Sequence, residues 1–330
     1  MTGTHPSLLL RRRALLAASG AALATPALAQ RAAWPTQPVR YINIFPPGGA
    51  TDVLSRIWCQ KMGEITGQQF VVDNRSGSGG NVGTEAIARS NPDGSVIGLA
   101  SVASLSIAPT LYRRLPFDAT RDFTYFCGLW QLPNFLVVHP SVEARTIPEL
   151  IDLCKRNPGR YTFASSGSGT TVHLSGEMFK HLAGIDIVHV PYRGGAPANV
   201  DLLAGRVHMI FANITEQLQN HRDGRVRGLG VTGSERSPHL PDIPAMKEFL
   251  PGFQVTSWGG VCGPAGVPAP VAQRISELGK QAVESEEVRR RFDENGATSW
   301  WTTPQQLADF RREDEARFAP LIRASGAQVD

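Results

Sequence analysis

Three glycine-rich loops carry the residue types best suited to binding chemistry. They lie at 45–51 (FPPGGAT), 76–81 (SGSGGN) and 165–171 (SSGSGTT), each between a predicted strand and a predicted helix. A helix start offers backbone N–H groups without intrahelical partners and a partial positive charge, and glycine lets a ligand approach that backbone. The pattern therefore predicts anion binding without Lys or Arg. For any one loop, the alternative interpretation is a tight turn.

Ser168 and His173 allow a different interpretation, a secreted serine hydrolase. The two residues lie five positions apart at a predicted helix start, where they could approach one another. However, the chain contains no G-x-S-x-G nucleophile elbow, and a serine at a helix start more often caps the helix. The hydrolase therefore stays the alternative function. At the same loop the dinucleotide pattern G-x-G-x-x-G is not completed, because Gly167 and Gly169 are followed by Thr170, Thr171 and Val172.

Metal chemistry is not favoured by the histidines or the cysteines. His173, His181 and His189 are eight positions apart, and no H-E-x-x-H motif occurs. We expect His173 to be a neutral hydrogen-bonding residue, and we predict neither a metal nor a cofactor. The four cysteines form no C-x-x-C pair, so buried free thiols are expected. Cys127 and Cys262 are the pair to test first for a disulfide.

The first 29 residues have the composition of a cleavable export signal. They contain three arginines at 11–13 and no acidic residue, then an Ala-rich apolar run and an A-x-A site at 27–29. The signal predicts that the protein is exported. Arg12 and Arg13 fit a twin-arginine signal, but an ordinary secretory signal fits as well, so the export route stays open. Without those three arginines, 30 of the 33 basic residues remain, against 29 acidic residues. This near balance of charge removes the electrostatic basis for nucleic-acid binding.

The remaining chain alternates strands and helices and predicts an α/β fold. A strand at 39–44 leads to a helix that Thr51 or Asp52 is suited to cap, and this alternation continues to about residue 100. It predicts a parallel sheet covered on both faces. The same order of strands and helices restarts after Pro133. The segment after Pro268 is mostly helical and contains too few strands to form a domain of its own. We therefore predict lobe 1 from 31–132 plus 257–330 and lobe 2 from 133–256.

The motifs, taken in order, closely resemble the Bug family, the periplasmic solute receptors of tripartite tricarboxylate transporters. The likeness rests on segments 45–52, 73–81, 164–174 and 189–194, and it continues to 263–268. It implies a two-lobed periplasmic binding protein fold of type II, with a ligand cleft between the lobes. It also implies a non-enzymatic, monomeric receptor that captures a small organic carboxylate for membrane transporter subunits or a sensor.

The resemblance further implies that two glycine loops hold one ligand carboxylate, largely through backbone groups and waters. The residues that match the family's contacts are Phe45, Gly48 and Gly49 on one lobe, and Ser166, Ser168, Gly169 and Thr170 on the other. Asp52 belongs to the same predicted site and is expected to cap its own helix. Candidates for the distal end of the ligand are Ser101, Ser104, Tyr192, Asn213 and Trp258.

Two departures from the family pattern bear on the ligand. Ala212 stands where the family often has Asp, which weakens the case for a ligand with a cationic amino group. Val102 and Ala103 replace positions that are commonly polar or glycine. These departures therefore favour a less polar, aromatic or aliphatic carboxylate, and which carboxylate it is stays open.

Overall fold

The structure is a computed structural model that describes residues 34–325 and 328–329. The predicted export signal at 1–29 lies outside the described residues. Within the described part of the chain, no helix is long and apolar enough to cross a membrane.

Strands and helices alternate through most of the chain, and this confirms the predicted α/β class. The strands are β1 (Val39–Asn43), β2 (Phe70–Asn74), β3 (Val96–Ser101), β4 (Phe123–Val138), β5 (Thr162–Ser165), β6 (Val188–Pro191), β7 (Met209–Asn213), β8 (Arg227–Val231), β9 (Thr256–Pro264) and β10 (Thr298–Ser299). The α-helices are α1 (Ala50–Thr66), α2 (Asn81–Ala88), α3 (Ala108–Leu111), α4 (Ile147–Arg156), α5 (Thr171–Ala183), α6 (Gly195–Leu203), α7 (Ile214–Arg222), α8 (Ala269–Val283), α9 (Glu286–Glu294) and α10 (Pro304–Ser325).

One long strand, β4, belongs to two regions of the sheet. Its first part, 123–133, pairs antiparallel with β9, and its last part, 134–138, pairs with β7. The first sheet region has the order β2-β1-β3-β9-β4, and the second continues through β7 and β5 to β6. β10 and β8 also pair with β4.

The predicted parallel pairing holds at both ends of this arrangement. β1 is parallel to β2 and β3, and β5 is parallel to β6 and β7. The central strands differ, because β9 is antiparallel to both β3 and β4. Parallel β-α-β units therefore build the two ends of the sheet, and antiparallel strands join them.

Helix α1 buries the apolar face that its sequence predicts, including Leu54, Trp58 and Met62. The predicted capping residue is wrong, because Gly49 is the N-cap and makes no side-chain cap. Asp52 lies inside the first turn, and its carboxylate accepts a hydrogen bond from the Gly48 N–H at 3.0 Å. Asp52 therefore fixes the loop that leads into α1.

The carboxyl-terminal helices cover the first sheet region. α8 packs on α1 and β4, and α9 packs on α1. α10 contacts β4, α3 and a short π-helical segment at Ala103–Ile107, and it also contacts α5. The helices after Pro268 thus gain their apolar partners from elements far away in the sequence.

All four cysteines are buried and free, as predicted. Burial raises the pKa of the Cys154 thiol to about 11 and that of Cys127 to about 12. These thiols are therefore protonated at neutral pH and pack as small apolar groups.

Candidate functional site

A pocket lies where loop 45–51 and loop 165–171 face one another. The first loop starts α1, which covers the first sheet region, and the second starts α5 after β5. The described residues that line this pocket include no Lys or Arg, and Glu216 is the one acidic residue among them. The lining consists of Phe45, Pro46, Gly49, Thr51, Ser101, Val102, Ala103, Ser166, Thr170, Thr171, Val172, Gly195, Asn213, Glu216 and Ser257.

The start of α1 presents one unpartnered hydroxyl to the pocket. Thr51 is only 7 % exposed, and its Oγ1 has no hydrogen-bond partner. A buried polar atom without a partner is unfavourable, so it marks a place where a ligand or a water completes the hydrogen bonding. The 17-residue helix adds a partial positive charge at the same end.

The start of α5 offers a matching arrangement from the other side. Ser166 is also 7 % exposed, and its Oγ has no partner. The Thr170 hydroxyl is already engaged, because it donates to the Gly167 carbonyl at 2.8 Å and accepts from the His173 N–H at 3.3 Å. Thr170 therefore caps α5 as well as lining the pocket.

Glu216 is a lining residue that the sequence analysis missed. It lies in the first turn of α7, and its Oε1 accepts a hydrogen bond from the Ala50 N–H at 3.1 Å. Asn199 donates to Oε2 at 3.4 Å, and the Asn213 side chain also bonds the carboxyl group. Burial raises the pKa of Glu216, and these donors oppose that shift. No short motif marks this residue, because its partner Ala50 lies 166 positions away in the sequence.

Six of the predicted site residues lie in the pocket lining: Phe45, Gly49, Ser101, Ser166, Thr170 and Asn213. The structure places seven outside it: Gly48, Asp52, Ser104, Ser168, Gly169, Tyr192 and Trp258. Besides Glu216, the prediction also missed Thr51, Thr171, Gly195 and Ser257.

Two aromatic residues outside the lining have structural partners of their own. Trp258 is fully buried, and its Nε1 donates to Asp314 at 2.8 Å. Successive side chains of a strand point to opposite faces, so Ser257 reaches the pocket and Trp258 points away. The Tyr192 hydroxyl donates to Asp201 at 2.7 Å.

Ser168 and His173 do not form a catalytic pair. No hydrogen bond joins their side chains in the described part of the chain. His173 Nδ1 accepts from the Gly169 N–H at 3.3 Å, and the Ser168 carbonyl accepts from the Tyr112 hydroxyl at 3.3 Å. Nucleophilic catalysis needs the base within hydrogen-bond reach of the nucleophile, and this arrangement does not supply it.

His173, Glu177 and His189 are the one group among the described residues whose ligand atoms are close enough to share a metal, within 4.8 Å of one another. The two rings stack with centroids 4.2 Å apart and planes 26° apart. His189 Nε2 pairs with the Ser165 hydroxyl at 2.6 Å. Burial lowers the pKa of His173 to about 3 and that of His189 to about 4, so both rings are neutral at pH 7.

Comparison with known proteins settles the family. The model described as "Tripartite tricarboxylate transporter family receptor" matches residues 54–327. This chain belongs to that receptor family. The match gives no support to the serine hydrolase alternative.

The receptor is similar to proteins of several bacteria over nearly its whole length. It is 39% identical over 315 residues to a UPF0065 protein of Pseudomonas sp. (strain P51), covering 94% of each chain. It is 34% identical to protein BugT of Bordetella pertussis, covering 96% of this chain and 98% of BugT. These relatives confirm the resemblance to the Bug family.

Solved structures of related receptors confirm the two-lobed periplasmic binding protein fold. An R. palustris protein, Rpa4515, solved with adipate, is 31% identical, with a TM-score of 0.87 over 90% of this chain and 100% of that one. The periplasmic binding protein BugD is 30% identical, with a TM-score of 0.86 over 89% of this chain and 99% of BugD. MatC of Rhodopseudomonas palustris, solved with bound malate, is 26% identical, with a TM-score of 0.83 over 88% of this chain and 100% of that one.

Proposed function

We propose that this receptor binds a small organic carboxylate in the pocket between loops 45–51 and 165–171. The observation that carries the proposal is the pair of helix starts that face one pocket, each with a buried, unpartnered hydroxyl, at Thr51 and Ser166. A carboxylate satisfies such hydroxyls and the nearby N–H groups together, without a cationic side chain. The adipate and malate of the two related structures agree in chemical class.

The proposal includes a role in solute capture rather than catalysis. The pocket brings hydroxyls, amides and one carboxyl group together, and the side chains of Ser168 and His173 form no dyad. The receptor is proposed to be exported to the periplasm, to act as a monomer and to deliver its ligand to membrane transporter subunits.

The two lobes are proposed to be 31–132 plus 257–330, and 133–256. This division follows the change of partners within β4, which leaves β9 and joins β7 near Pro133 and Asn134. Loops 45–51 and 165–171 then lie on different lobes. A ligand that contacts both loops favours the closed arrangement by the difference between its affinities for the closed and open forms.

A two-stage experiment tests the proposal. Native mass spectrometry of the mature protein, purified without added ligand, reports any retained small molecule. A thermal-shift screen of carboxylic acids then ranks the candidates, with the matching amides as neutral controls. The proposal expects the melting temperature to rise with at least one acid and not with its amide. Sustained turnover of ester or amide substrates by the purified protein would contradict it.

A further inference from the structure

Glu216 places a carboxyl group of the protein itself at one of the two helix starts. Its Oε1 accepts a hydrogen bond from the Ala50 N–H at the start of α1, although Glu216 belongs to α7 on the second sheet region. Gly195 and Gly49 leave the room for this group. A Cβ on Gly195 would overlap both carboxyl oxygens, and one on Gly49 would lie 3.4 Å from Oε1.

The neighbours of Glu216 hold it as a hydrogen-bond acceptor. Asn199 Oδ1 accepts from Gln217 at 2.6 Å, which directs its Nδ2 toward Glu216. Asn213 Oδ1 accepts from Asn134 at 3.2 Å, which leaves its amide N–H groups for Glu216. All three partners of the carboxyl group are thus N–H donors, and this pattern suits the ionised form, which accepts only. No ion pair to Glu216 occurs among the described residues.

Two hydroxyls beside Glu216 are left for the ligand. Thr51 Oγ1 at the start of α1 and Ser166 Oγ at the start of α5 have no partner, and both residues line the same pocket. One ligand carboxylate can therefore be bound between these two hydroxyls. A second carboxylate on the ligand would share this pocket with Glu216, and no lining Lys or Arg lies between the two charges. Like charges repel strongly where little water screens them.

We propose that Glu216 is the residue that sets the ligand class, because its carboxylate already holds the Ala50 N–H at the start of α1 and its charge restricts the pocket to monocarboxylates. This inference rests on the proposed function, since it assumes that the pocket binds an organic carboxylate. Adipate and malate, the ligands of the two related structures, each carry two carboxyl groups, so the inference assigns this receptor a different ligand class from theirs.

Calorimetry with matched acids tests the inference at pH 7.5. The probes are straight-chain monocarboxylates of four to eight carbons and the dicarboxylates of equal length, hexanoate against adipate for example, together with benzoate against terephthalate. We expect the wild-type protein to bind the monocarboxylate at least tenfold more tightly in every pair that binds. A dicarboxylate that binds as tightly as its monocarboxylate overturns the inference, and this comparison needs no variant.

The variant Glu216→Gln keeps the shape and removes the charge. We expect it to reduce the preference for monocarboxylates at least tenfold. Asp223→Asn is the matched control, because Asp223 is exposed at the end of the same helix and the change removes the same charge. It should leave the preference unchanged. An unchanged preference in Glu216→Gln overturns the inference while the carboxylate receptor stands. No binding of any of these acids overturns both.

Discussion

The backbone N–H of Ala50 donates to Oε1 of Glu216 at 3.1 Å, although 166 positions separate the two residues. The bond joins the first turn of α1 to the first turn of α7. It therefore ties the two sheet regions together beside the pocket. Two further contacts join residues far apart in the chain: the Tyr112 hydroxyl donates to the Ser168 carbonyl, and Pro46 lies against Gly194.

Gly79 lies in loop 76–81 and is predicted to be needed for the close approach of this loop to loop 165–171. It has φ +63°, and a Cβ there would overlap the Ser168 carbonyl. Gly79→Ala should weaken binding of the best acid at least tenfold, because the loops could not meet. Gly184→Ala is the matched control, since Gly184 has φ +59° and no atom within 4 Å of the added Cβ.

Both glycine variants should lose a similar free energy of unfolding, about 1 to 2 kcal/mol, from the left-handed backbone alone. Calorimetry for the ligand and chemical denaturation for stability separate the two effects. Equal affinities in the two variants would show that the approach of Gly79 to Ser168 has no part in binding.

Ser166 is predicted to contact the ligand through its unpartnered Oγ. Ser166→Ala should weaken acid binding by about 1 to 3 kcal/mol, because a charged oxygen of the ligand loses a donor. Ser175→Ala is the control, since the Ser175 hydroxyl is also buried and unpartnered but lies outside the pocket lining. Titration calorimetry on both variants decides the point. An effect of the same size at Ser175 would argue against a direct contact.

Trp258 is predicted to matter for stability rather than for binding. Trp258→Phe removes the bond from Nε1 to the buried Asp314 carboxylate, which Arg317 also contacts. The free energy of unfolding should fall by about 1 to 3 kcal/mol, because a buried acceptor loses a donor. The affinity for the acid should stay within twofold of wild type in calorimetry. A large loss of affinity with unchanged stability would place Trp258 back in the site.

His173 and His189 are predicted to destabilise the protein in acid. Their folded pKa values, about 3 and about 4, lie below the ordinary value of 6.5, so unfolding takes up protons at mildly acidic pH. The contribution of the two neutral rings to the free energy of unfolding is fully present above pH 6.5, and it is lost as the pH falls toward 4. Each ring contributes a slope of about 1.4 kcal/mol per pH unit in that window.

Denaturation at a series of pH values measures this slope. Glu177 and Glu216 act in the opposite direction, because burial raises their pKa values. The comparison with His189→Gln isolates one histidine, since the carboxyl groups are common to both proteins. The variant should show the smaller loss of stability between pH 6.5 and 4.5. Parallel curves would mean that His189 has the same pKa in both states.

The sequence predicted those parts of the site that depend on local order. Phe45, Gly49, Ser166 and Thr170 reach the pocket because each follows a strand and precedes a helix, a pattern visible in the chain. Glu216 could not be found in this way, since its partner Ala50 is brought near only by the folded sheet.

Local structure also explains where the structure departs from individual predictions. Asp52 has the right residue type for a cap, but α1 begins three positions earlier than that role requires, so it binds the loop instead. Trp258 and Ser257 are neighbours in the chain, and only the orientation of β9 determines which of them faces the pocket. The 16-residue length of β4 was not predicted, because the order of strands and helices was taken to restart after Pro133, which lies inside this strand.

The most direct test of the account is a crystal structure with the acid that raises the melting temperature most. We predict that one carboxylate of that acid lies within hydrogen-bond distance of Ser166 Oγ at the start of α5. Glu216 should keep its bond to the Ala50 N–H in the same crystal. A carboxylate held instead by a Lys or Arg side chain, or bound outside the pocket, would contradict the account.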